Sequence, residues 1–72
     1  MTADTIREYL HATPFAPFTV HLMDGRFFHV DQPDFATLMR DNRHLLINTE
    51  GVRIAVVDLD KATALETSVK AA

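Results

Sequence analysis

The sequence predicts an α+β domain, with one N-terminal helix packed on a five-stranded, strongly bent antiparallel sheet that approaches a small barrel. Three observations predict it. Ile6, Tyr9 and Leu10 share one face of a short helical stretch. Apolar and polar residues alternate on both sides of Asp24-Gly25, and two further extended runs flank Glu50-Gly51. At 72 residues the chain is expected to be one domain, with the helix over 1–12, the sheet over 15–67 and a frayed tail over 68–72.

The helix opens at Thr2, whose hydroxyl suits an N-cap, and Asp4 adds negative charge to the first turn. So short a helix is marginal alone and has to lie on the sheet. Pro14 and Pro17 then push Thr13 and Ala16 toward extended geometry, so the chain enters its first strand straightened.

The register of the first hairpin follows from the chemistry of its faces. A two-residue loop at Asp24-Gly25 would pair Leu22 with Phe27 and mix the two faces. A three-residue loop, with Gly25 as a left-handed bulge residue, pairs Leu22 with Arg26, Val20 with Phe28 and Phe18 with Val30. That register turns Phe18, Val20, Leu22, Phe28 and Val30 inward and leaves Thr19, His21, Phe27 and His29 outside.

Pro33 suits the first residue of a helical turn capped by Asp31 or Gln32, and Phe35, Leu38 and Met39 follow at helical spacing. A second hairpin is expected from His44–Thr49 and Val52–Asp58. A two-residue Glu50-Gly51 loop sets Ile47 opposite Ile54 and Leu45 opposite Val56. Asp58-Leu59-Asp60-Lys61 reads as a tight turn, and Ala62–Thr67 as a fifth strand with Leu65 pointing inward.

Composition narrows the function. Without cysteine there is no disulfide and no thiolate zinc site, so a partner subunit is the simplest extra source of stability for so small a core. A net charge of −3 with scattered basic residues gives nucleic-acid binding no help. No apolar run approaches a bilayer span, which predicts a soluble protein, and the absence of cysteine fits a reducing cytoplasm.

The helix, the Phe18–Gly25 strand and turn, and the Val57–Leu65 turn and strand resemble the order of elements in Sm-like small barrels. Their resemblance implies a five-stranded barrel. Phe27 on an open sheet face, with Arg26, Arg53 and Lys61 as cations near it, gives RNA or other nucleic-acid binding as the alternative function. A second set of residues is similar to a group of short uncharacterised bacterial proteins with a Pro-Phe-x-Pro-Phe...Asp-Gly-Arg pattern: Pro14, Phe15, Pro17, Phe18, Asp24, Gly25, Arg26, Val30, Pro33, Asp34 and Phe35. That group often has histidine where Gln32 stands here, which argues against an obligatory metal or proton-transfer role at this position. This likeness implies no activity.

The candidate interaction face is His21, Phe27, His29 and Arg53. His21 and His29 are diagonal neighbours, a pair conceivable for zinc or nickel, but two ligands are too few for a site. Serine occurs only at Ser68, and the Asp31/Asp34 and Asp58/Asp60 pairs suit turns and caps, so no catalytic residue, metal or cofactor is expected. A pocket of roughly 300 Å³ or more is not expected in one so short a chain. The expected function is a non-enzymatic interaction or assembly module that self-associates as a homo-oligomer or binds another protein. It does so through the Phe27 face or a strand edge near Val52–Val57.

Overall fold

The computed structural model describes residues 1–49 and 53–67. The elements are α1 (Ala3–Leu10), β1 (Phe18–Leu22), β2 (Phe27–Val30), β3 (Ala36–Leu38), β4 (His44–Asn48), β5 (Ile54–Asp58) and β6 (Ala62–Thr67), with short 3₁₀ turns at Pro33–Phe35 and Leu59–Lys61. The strands form two separate three-stranded antiparallel sheets, ordered β2-β1-β6 and β3-β4-β5.

This arrangement overturns the expected five-stranded bent sheet, and with it the Sm-like small barrel: the two sheets are separate and, among the described residues, no barrel closes. The break falls at Pro33. Gln32 is extended and caps the 3₁₀ turn, and its carbonyl accepts the Phe35 amide at 3.0 Å. β2 stops at Val30; Pro33, which has no N–H to give a ladder, opens the 3₁₀ turn, and the chain restarts as β3 in the other sheet. The helical spacing of Phe35, Leu38 and Met39 is also overturned: Ala36 is buried, Thr37 exposed and Leu38 half-buried, the period of a strand.

The first hairpin has the bulged register. Phe18 pairs with Val30 and Val20 with Phe28, and the Leu22 amide donates to the Arg26 carbonyl at 2.8 Å. Gly25 has φ +92° with open space where a Cβ would stand, so its requirement is conformational and not steric crowding. β6 lies on the other side of β1, with Leu65 opposite Val20 and packed on the core.

In the second sheet Leu45 pairs with Val57 and Ile47 with Ala55, one residue away from the expected pairing. The Thr49 amide donates to the Arg53 carbonyl at 2.8 Å, so the hairpin closes on that pair and not on a two-residue loop. Glu50, Gly51 and Val52, where that loop and the start of the strand were expected, lie outside the described residues, as does the 68–72 tail.

Both sheets and the helix share one core: Ile6 and Leu10 from α1, Phe18, Val20, Leu22 and Val30 from the first sheet, and Ala36, Leu45, Ile47 and Val57 from the second, with Leu59. Thr2 caps α1 by accepting the Thr5 amide at 3.4 Å, and α1 lies against β3. The Tyr9 and Phe15 rings pack on Phe18 at 5.5 and 6.0 Å. The Met1 ammonium donates to the Leu59 carbonyl at 3.3 Å.

Gly25→Val is expected to destabilise by about 1 kcal/mol or more in urea unfolding, since it forces a β-branched residue to positive φ. An unchanged midpoint would contradict the bulged turn. Phe18→Ala removes the largest enclosed side chain and is expected to cost about 3–5 kcal/mol, enough to unfold a domain of this size. A folded variant that loses less than Gly25→Val would show that Phe18 is not central to the core.

Candidate interaction surfaces

The outer face of the first sheet gathers three of the four sequence-predicted residues. His21 pairs with Phe27 across β1 and β2, with ring centroids 5.9 Å apart. Phe27 meets His29 edge to face at 5.5 Å. Phe27 is 55% exposed. Thr19, also on this face, is only 3% exposed. It occupies the central strand, with His29 and Glu66 opposite it on either side, and its hydroxyl is in hydrogen-bond contact with His29 Nδ1 at 2.6 Å. His21 Nε2 stands 3.6 Å from a Glu66 carboxylate oxygen, a neighbour that appears only once β6 is known to flank β1.

Arg53 is exposed immediately before β5, in the chain segment entering the other sheet. Its carbonyl holds Thr49, and its sequence position next to an apolar strand gave no means of assigning it a sheet. Of the cations expected near Phe27, Arg26 is held by Asp24 at 2.7 Å. The Asp24 carboxylate accepts the Arg26 amide at 3.0 Å, and that bond, with the guanidinium beside it, lowers the Asp24 pKa. Among the described residues no three His, Asp or Glu side chains gather as a metal site.

The second sheet has a different surface. β5 is an edge strand, and its alternation buries Val57 while Ile54 and Val56 stand 62% and 61% exposed. Val56 lies opposite half-buried Leu46 and Ile54 opposite Asn48, so the three aliphatic side chains share the outer face. The expected pairing set Val56 opposite Leu45; the observed register, one residue away, sets it opposite Leu46 on the outer face and brings Val57 opposite Leu45 in the core.

At the end of this sheet Arg43 makes a forked contact with Asp58, Nε at 3.1 Å and Nη2 at 3.0 Å, and reaches Asp60 at 3.3 Å. Asp58 raises the Arg43 pKa, and Arg43, followed by the Asp60 amide, lowers that of Asp58. Asp41 accepts the amides of Arg43 and His44 at 2.9 and 3.0 Å, and its other oxygen accepts from His44 Nδ1. The His44 side chain, then the two amides, hold the Asp41 pKa at about 2. The Asp58/Asp60 pair is expected from the sequence to serve turn chemistry. The Asp41 and Asp58 bonds to local amides fit that, but the link from Arg43 to Asp58 spans 15 residues and leaves no local signal.

An open hollow of about 600 Å³ lies between the end of α1 and β3, larger than expected for so short a chain. Leu10, Ala36 and Leu38 line it together with Arg7, His11 and Arg40. Arg7 is engaged by Asp4 and Asn42.

In comparisons with known proteins, no family model, no curated protein and no solved structure matches this chain. Among the described residues no helix is long and apolar enough to cross a membrane.

Asp41 supplies a pH test. Its folded pKa is below its ordinary value of 3.8, so the stability it contributes is present above that value and is lost as pH falls toward about 2. Asp24 and Asp58 act in the same direction. Thermal melts between pH 5 and pH 2 (about the range set by these groups) should show Asp41→Asn losing less stability on acidification than the parent. Parallel curves would contradict the assigned contacts.

Proposed function

We propose that this chain is a protein-association module whose first partner is a second copy of itself. The supporting observation is the outer face of β5, where Ile54 and Val56 stand beside Leu46 with more than half of each edge side chain in water. Apolar side chains gathered at a strand edge are a liability for a free monomer and an asset once covered. The physical economy of the chain points the same way. A 72-residue chain without disulfides has a thin stability margin, and burying surface between copies adds to it. The Phe27 face is the second apolar surface available to a further protein. Nothing in the proposal requires bond-making chemistry.

Light scattering coupled to size exclusion should give a mass above the 8.1 kDa protomer that rises with concentration. Val56→Lys should shift it toward the protomer with the fold retained, because this side chain is already exposed. A single 8.1 kDa species at high micromolar concentration would overturn self-association.

A further inference from the structure

Resting on self-association as the function, we infer that two copies join edge to edge through β5, antiparallel, with Ile54 opposite the partner's Val56. The hydrogen bonds of the second sheet determine which backbone groups are available. Thr49 bonds Arg53 and Leu59 bonds Arg43, the two ends of one antiparallel ladder. Alternation along that ladder directs Arg53, Ala55 and Val57 toward β4. It directs the N–H and C=O groups of Ile54 and Val56 off the open edge, where no strand meets them among the described residues. The same two residues therefore carry both the unpaired backbone groups and the bare aliphatic side chains.

A second copy of β5 complements this edge. In a two-fold antiparallel arrangement centred on Ala55, Ile54 exchanges both backbone bonds with the partner's Val56, and Val56 does the same with the partner's Ile54. Each aliphatic side chain then has an aliphatic neighbour across the junction. Shifting the pairing by two residues sets Ile54 against the partner's Asp58, a carboxylate already held by Arg43. A parallel pairing in register would set Arg53 beside the partner's Arg53, and the antiparallel direction separates these like charges. Stacking of the two outer faces is the competing geometry, and it leaves the edge groups unpaired.

The absence of cysteine permits a direct test. Ile54→Cys and Val56→Cys are prepared singly, shown to fold by circular dichroism, and incubated alone or mixed in a glutathione redox buffer. Opposed residues in a hydrogen-bonded pair have Cα atoms about 5.5 Å apart, within disulfide reach. The expected result is a mixed Ile54→Cys/Val56→Cys disulfide as the dominant product by intact mass, with each single variant remaining reduced. Preferential linking of either variant to itself would overturn the register. A dimer by light scattering without the mixed disulfide would overturn edge pairing while leaving self-association standing. A monomer by light scattering would overturn both.

Discussion

The two-residue period of a β-strand is the constraint on which this molecule depends. It ties the face on which a side chain stands to the side of the strand on which its backbone bonds point, so one registered pair fixes both for the whole strand. In the first sheet the positive φ of Gly25 sets that pair. Phe18, Val20, Leu22 and Val30 are buried as a consequence, and His21, Phe27 and His29 are left outside. In the second sheet the Thr49–Arg53 bond does the same work, burying Val57 and exposing Ile54 and Val56.

What could be read in the sequence follows from how each register is encoded. Asp24-Gly25-Arg26 carries its own turn chemistry and is flanked by strongly alternating residues, so the first hairpin, its core face and the outward histidines were legible. Glu50-Gly51 is a weak turn signal between runs in which Leu45, Leu46 and Ile47, and Ile54 to Val57, are all apolar. Hydrophobicity there does not distinguish one face from the other, and the expected pairing fell one residue away from the observed one. The sorting of strands into two sheets was illegible for another reason. Pro33 marks a stop, but three residues of β3 after a helical-looking Phe35 carry too little periodicity to announce a strand.

The candidate surfaces divide along the same line. His21, Phe27 and His29 come together because they share one registered hairpin. Arg53 lies beside the other sheet, immediately before β5. The Arg43 fork to Asp58 anchors the opposite end of that strand, tying the acidic corner to the protomer, and the Ile54 and Val56 side chains between stand exposed.

Amide hydrogen exchange resolved by residue, at low and high protein concentration, tests this account most directly. The Ala55 and Val57 amides, already bonded to β4, should be protected at both concentrations, while those of Ile54 and Val56 should exchange rapidly when dilute and become protected when concentrated. Exchange at Ile54 and Val56 that is independent of concentration, or protection that falls on Ile54 and Val56 in the dilute protomer while Ala55 and Val57 exchange freely, would contradict it.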